Sequence, residues 1–397
     1  MRRKFGLTLL SLTTIIFYAA CSNTNLPGTW VPMDAGIGDA FYSVNFVNEN
    51  VGWINAQSDR NYLPIGEDAN VNANTDQNAN SNANINKNAN SNANKNEEKK
   101  KEKDKDDPLK NNQGFEVLQT TDGGNTWKQL PDQFKYKIRS VFFVDEQTGW
   151  ALTIDRDILK TTDGAKTWTT QRKAGKVNVK VTANRRNPLM EQPEQIERIY
   201  FLNASHGWAW GGGRKDDYSE QPGIFLKTID GGQNWNEIKY PFEQNMNSIF
   251  FLDANRAWAN TTDGKFYKTT DGALNWTEIQ GKLPELNFGA ICFLDDNNGW
   301  VVGQSGRPAK TSDGGKTWLK MVYLKPEFKM RDLHFFDKDH GWAVGDRGEI
   351  IYTSNGGDSW VSVPNAIGAD LRDVVFLSRE RGFAVGLGGA FLKYEGQ

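Results

Sequence analysis

The chain has 397 residues, with 47 Lys and Arg against 49 Asp and Glu and a formal net charge of −2. That length suits one large all-β domain or two smaller ones, and the near-neutral charge excludes a global electrostatic case for nucleic acid. Two cysteines, Cys21 and Cys292, imply no disulfide framework.

At the N-terminus, Arg2, Arg3 and Lys4 precede a mostly apolar run over 6–18 and then Ala19-Ala20-Cys21-Ser22. This is the layout of a signal peptide, residues 1–21, and the run is too short for a membrane-spanning helix of about 20 residues. Small residues before Cys21 resemble a bacterial lipoprotein cleavage site, with Tyr18 where that site prefers an aliphatic residue. The expectation is lipid attachment at Cys21 and an exported protein, membrane-anchored and facing the periplasm or the cell exterior. The alternative is ordinary cleavage nearby and a soluble periplasmic or secreted protein.

Residues 22–397 read as one domain, interrupted at about 59–114 by an Asn/Ala-rich tract and a mixed-charge run. Six acids and five lysines lie between Glu97 and Asp107, with no apolar residue among them. Such a segment buries too little surface to offset its ordering entropy, so a disordered surface insertion is expected.

The remainder repeats. A Gly-Trp turn recurs at Trp53, Trp150, Trp208, Trp258, Trp300 and Trp342, with Ala257 replacing Gly before Trp258 and Phe383 in the Trp place of a seventh copy. A second turn, Thr-x-Asp-Gly-Gly-x-Thr-Trp in its fullest form, recurs at Asp122, Asp163, Asp230, Asp271, Asp313 and Asn355, with spacings of 41, 67, 41, 42 and 42 residues. About 42 residues with four short strands is the size of a propeller blade. The fold class expected is therefore all-β: a seven-bladed β-propeller of four-stranded blades. The last copy stops at Tyr394 without a fourth strand, while Gly28-Thr29-Trp30 matches Gly315-Lys316-Thr317-Trp318 at the level of Gly, Thr and Trp. The N-terminal strand is expected to close the ring, which removes a free sheet edge.

The repeated acids read as structural. Asp can accept main-chain N–H groups two residues on and fix a turn, Gly supplies positive φ, and the Trp brings a large apolar surface. Asn355 keeps the acceptor and loses the charge. Cys292 reads as a small core residue. His206 and His340 share one repeat position and His334 lies in a strand, so no metal-site spacing exists. No phosphate loop or nucleophile elbow is visible, and no catalytic residue or cofactor is assigned.

The Thr-x-Asp-x-Gly-x-Thr-Trp element resembles the Asp-box, or BNR repeat, of sialidases, sortilin-type receptors and some glucanases. The fuller unit, clearest at Phe293 to Trp318 and Phe335 to Trp360, resembles the photosystem II stability/assembly factor family. That resemblance implies a seven-bladed propeller on the lumenal side of thylakoids, an arginine-rich surface patch, and a protein partner such as a membrane-protein assembly intermediate. The Asn/Ala insertion and the lipoprotein-like leader depart from that family.

In such blades, loops two–three and the blade connections share one face, and every long insertion falls there: 57–114, 171–195 and 211–223. Loops on a rigid scaffold are where binding surfaces arise. The second of these connections holds Arg172, Lys173, Lys176, Lys180, Arg185 and Arg186 against Glu191 and Glu194. Arg139, Arg331 and Arg372 open the innermost strands of blades two, six and seven and are expected to ring the channel mouth. Arg307 and Arg347 come from two–three loops. Arginine clusters suit carboxylate-rich partners, with internal pairing to acids such as Asp332 and Asp373 as the alternative. The functional reading is an exported, non-catalytic, monomeric scaffold that binds protein on this face. A glycoside hydrolase of the sialidase or glucanase kind is the alternative, which needs two carboxylates across the scissile bond; a glycan-binding surface protein is another.

Overall fold

Alternating apolar residues, broken every few positions by Gly, Asn and Asp, make short antiparallel strands here and almost no helix. The computed structural model describes residues 28–37, 40–57, 115–132, 135–181, 189–212, 219–220, 223–242, 244, 246–280, 288–321 and 328–396. The leader with Cys21 and the 59–114 insertion lie outside them. The described residues form seven four-stranded antiparallel sheets and one three-stranded sheet. The chain is an all-β, seven-bladed propeller, as the repeats require.

Blade six is representative. Its strands, inner to outer, are Met330–Phe335, Gly341–Gly345, Ile350–Thr353 and Val361–Ser362. Blade seven takes Leu371–Phe376, Arg381–Gly386 and Phe391–Gly396 from the C-terminus and Gly28–Pro32 from the N-terminal side. Trp30 lies opposite Tyr394 in that closing pair. It meets Phe376 edge-on at 5.6 Å and 82°, as Trp360 meets Phe335 at 5.7 Å and 85°. Trp30 therefore does fill the turn-Trp place of the last blade.

The blades hold together through a repeated aromatic contact. The last Phe of each innermost strand packs on the Gly-Trp aromatic of the preceding blade. Phe143 lies on Trp53 at 3.7 Å, Phe293 on Trp258 at 3.9 Å, Phe335 on Trp300 at 3.9 Å, and Phe46 on Phe383 at 4.1 Å across the closing seam. Such pairs add about 0.5–1.5 kcal/mol each beyond burial. The same Phe explains the Gly before Trp: a Cβ on Gly341 would stand 2.6 Å from the Phe335 ring.

The Asp-turn differs in one detail from its sequence reading. The carboxylate reaches four residues on, not two. Asp122 Oδ1 accepts the Thr126 N–H at 2.9 Å and Oδ2 accepts its hydroxyl at 2.6 Å. The Thr120 hydroxyl donates to Asp122 and accepts the Gly124 N–H at 2.9 Å. Asn355 preserves the acceptor, taking the Ser359 N–H at 3.0 Å. The carboxylate is bonded within its own turn and staples it.

Hydrogen bonds also separate the two faces. The turn glycines Gly164, Gly231, Gly314 and Gly356 donate to carbonyls of the one–two loops in their own blades. Two–three loops bond instead to the incoming connection, as Asp346 N–H does to Lys329 O at 2.8 Å.

Candidate binding face

Parts of two insertions pair with each other. Residues 171–195, a plain connection in the sequence reading, contain the hairpin Lys176–Val181 and Leu189–Pro193, and Ser219–Glu220 from the two–three loop of blade three adds a third strand. The first insertion leaves and returns between the paired residues Gln57 and Phe115. Arg172 and Glu194 close the hairpin base at 2.6 Å, Lys176 meets Glu191 at 2.8 Å and Lys173 meets Asp157 at 2.7 Å. Half of the basic residues in this connection are thus neutralised internally. Arg185 and Arg186 lie outside the described residues.

The channel mouth is built by β-bulges. The register of the inner strand pair slips between Phe41 and Ser43, Ile138 and Ser140, Met246 and Ser248, Phe288 and Ala290, Met330 and Asp332, and Leu371 and Asp373. The extra residues are Tyr42, Arg139, Asn247, Gly289, Arg331 and Arg372. A bulge re-aims the side chain of its unpaired residue. Arg331, Arg372, Tyr42 and Arg139 come from blades six, seven, one and two, so they follow one another around the ring as one arc.

Each arginine has a distinct setting. Arg331 Nε donates to Asp346 at 2.7 Å, and its Nη2 stands 3.9 Å from Asp370. Arg372 Nη2 stands 3.7 Å from the same carboxylate, while its Nε is shielded from water without an acceptor among the described residues. Arg139 lies over the Phe115 ring at 5.0 Å, with Nη1 likewise shielded and unpartnered. Arg347 is exposed in the left-handed region, φ 57°, with its guanidinium 5.4 Å from the Phe328 ring. Arg307 is exposed on the neighbouring two–three loop of blade five. Tyr42, 48% exposed, stands between Arg372 and Arg139 in the arc.

Sequence reasoning missed Tyr42, Asp346 and Asp370. It also considered Asp332 and Asp373 as partners of the neighbouring arginines, and they do other work. Asp332 accepts the Val374 N–H at 3.0 Å and Asp373 the Val44 N–H at 2.7 Å, each bridging to the next blade. Asp332 keeps some exposed surface, yet protein surrounds it closely. Burial, the adjacent Asp373 charge and a hydrogen bond with it hold Asp332 well above the usual carboxylate range.

The remaining suspects are structural. Burial pushes the Cys292 thiol up to about 12 and the His334 imidazole down to about 4. His340 pairs with Asp337 at 2.9 Å within its own loop. Among the described residues no three His, Cys, Asp or Glu side chains gather as a metal site. No helix of the described residues is long and apolar enough to cross a membrane.

The family profile described as photosynthesis system II assembly factor YCF48 matches residues 119–283, 282–364 and 320–395. The chain belongs to this family. Among solved structures, YCF48 bound to D1 peptide aligns with a TM-score of 0.61 at 16% identity, over 93% of this chain and 97% of that one. YCF48 from Cyanidioschyzon merolae gives 0.61 at 17% identity, over 92% and 98%. Catalytically inactive virginiamycin B lyase from Staphylococcus aureus with quinupristin gives 0.54 at 11%, over 93% and 99%. At these identities the structural likenesses report the fold. No curated protein sequence matches the chain. Residues 1–21, expected from the sequence to be a leader, and the Asn/Ala tract of this YCF48 family member lie outside the matched residues.

Proposed function

We propose that this chain is an exported, non-catalytic propeller that binds a protein segment at the arginine arc, in the manner of an assembly factor for a membrane protein. The observation that carries the reading is the arc itself. Arg139 and Arg372 flank an exposed tyrosine and each holds a shielded N–H without an acceptor among the described residues. Arg331 and Arg372 keep 31% and 27% of their side-chain surface exposed, and a partner carboxylate pairs with those exposed guanidinium edges. Phe115 and Phe328 beside the guanidinium groups and the exposed Tyr42 add apolar surface, so the fitting partner is a peptide with carboxylates and apolar side chains. The structure of YCF48 bound to D1 peptide supports a peptide ligand for this kind of propeller.

The hydrolase alternative is less well supported by the acids. The Asp-box carboxylates are used in their turns, and Asp346 is bonded to Arg331. Asp332 and Asp373 hydrogen-bond each other, which leaves no room for the sugar that must sit between two catalytic carboxyls about 5 Å or more apart.

The leader supports export, with lipid on Cys21. The closing strand starts at Gly28, whose partner Gly396 donates to Glu380 O in a one–two loop. A lipid tether joined at Gly28 would meet the propeller on its Asp-turn face, opposite the arginine arc. Pull-down with the wild type and with Arg139, Arg331 and Arg372 each changed to Glu tests the arc. Partners lost from the variants support it, and partners retained by all three overturn it. Membrane fractionation with a Cys21→Ala control tests the anchor.

A further inference from the structure

Three hydrogen bonds align one position across the blades. Ile154 N–H donates to Lys137 O, Asp346 N–H to Lys329 O and Leu387 N–H to Asp370 O, at 2.9, 2.8 and 2.8 Å. The position is lysine in blades two and six and aspartate in blade seven. That one acid stands inside the arginine arc. Its Oδ1 accepts the Arg347 N–H at 3.0 Å. Its Oδ2 lies 3.9 Å from Arg331 Nη2 and 3.7 Å from Arg372 Nη2, close enough for charge attraction and too far for a hydrogen bond. The contrast with Asp346, bonded to Arg331 at 2.7 Å, is direct.

We infer that the Asp370 carboxylate is an internal competitor at the arginine arc, occupying loosely the place between Arg331 and Arg372 that a partner's carboxylate takes. The inference rests on the binding role proposed for the arc and specifies how that role is set. Two guanidinium groups hold Asp370 without forming bonds to it, so each keeps donors for an incoming carboxylate, and Arg–carboxylate pairs are strongest when bidentate and at hydrogen-bond distance. Asp370 is anchored by its other oxygen to the Arg347 backbone and cannot close the gap. It screens the arc against weak anions, and a partner that bonds both arginines outweighs its attraction while it stays in place. Arg331, Arg347 and Arg372 against Asp346 and Asp370 leave the cluster one positive charge, and loss of Asp370 would double it.

The test uses the full chain and a fluorescently labelled ten-residue poly-glutamate peptide with a free C-terminus. Asp370→Asn keeps an oxygen for the Arg347 N–H and removes the charge. It should bind the probe about tenfold more tightly, the factor equivalent to about 1.4 kcal/mol. Asp339→Asn, an equal charge change on the Asp-turn face, should bind as the wild type does. Asp370→Ser gives a second reading if Asn perturbs the loop, and thermal melts verify folding. Probe binding that requires Arg331 and Arg372, yet is unchanged or weaker in both Asp370 variants, overturns the competitor and leaves the arc intact. Binding that ignores Arg331→Gln and Arg372→Gln, or its absence from every variant, overturns both.

Discussion

The indole N–H of Trp300 donates to the carbonyl oxygen of Gly356 at 2.9 Å, from the second strand of blade five to the Asp-turn of blade six. The same bond joins Trp150 to Gly231, Trp208 to Gly272 and Trp258 to Gly314. The two turn motifs of the repeat are thus halves of one inter-blade latch. Lys160 and Lys227 reinforce it, reaching the same glycine carbonyls at 2.9 and 2.8 Å.

Substitutions at Trp300 separate the parts of this latch. Trp300→Phe keeps a ring on Phe335 and loses the hydrogen bond, leaving the Gly356 carbonyl without that donor; a loss of about 1–2 kcal/mol is expected. Trp300→Ala also removes the stacked surface and opens a cavity, for about 3–5 kcal/mol. Urea unfolding, followed by the fluorescence of the other tryptophans, measures both.

Ring closure makes a second prediction. Trp30 is held by Trp342, Phe376 and Tyr394 at 5.6, 5.6 and 5.3 Å. Trp30→Ala should cost about 3–5 kcal/mol, as other buried large-to-small changes do. Its effect should concentrate on the seam of blades six and seven. Hydrogen exchange should show amides of Phe391–Gly396 opening before those of blades three and four; uniform opening would contradict a closure role.

The Asp-turns predict the acid limb of stability. Bonds from Thr126 hold Asp122 at about 2, bonds from Thr167 hold Asp163 at about 2, and bonds from Asn234 hold Asp230 at about 2. At Asp313 burial pushes upward, but the bonds from Thr317 and Thr311 prevail, again giving about 2. A carboxylate lowered by folding stabilises the protein above its unfolded value and loses that contribution as pH falls toward the folded one. Stability should therefore decline from about pH 4 to pH 2, in the window between the ordinary Asp value of 3.8 and these folded values. Asp313→Asn, which imitates Asn355, should flatten that decline in acid melts.

How much of this is visible in the sequence depends on the range of the interaction. Thr311, Asp313, Gly315 and Thr317 settle their turn within seven residues, so spacing alone exposes the blades, and Trp30 is legible because it copies that local pattern. The arc is half legible. Arg139, Arg331 and Arg372 share a repeat position, but their common orientation comes from a bulge, a mismatch between two strands that neither strand encodes alone. Tyr42 occupies the same bulge and is hidden by its different chemistry. Asp370 is hidden for another reason: its partners Arg331 and Arg347 belong to the preceding blade. The added hairpin did carry a signal, the alternation of Val177, Val179 and Val181, which basic residues between and around them obscure.

The acid pair at the channel gives the opposite pH sign from the Asp-turns. Burial and the Asp373 charge raise Asp332 well above its usual range. A carboxyl raised by folding favours the native state when protonated, and that advantage is lost as pH rises from the unfolded value through the folded one. Asp332→Asn keeps an oxygen for the Val374 N–H, replaces the shared proton with an amide donor toward Asp373, and removes the titration. The variant should match the wild type near pH 4 and exceed it in stability at pH 8, with the gap widening as pH rises. Urea melts at both values check this. A wild type that gains stability over that interval relative to Asp332→Asn would mean that the ionised Asp332 is preferred, contrary to its burial beside Asp373.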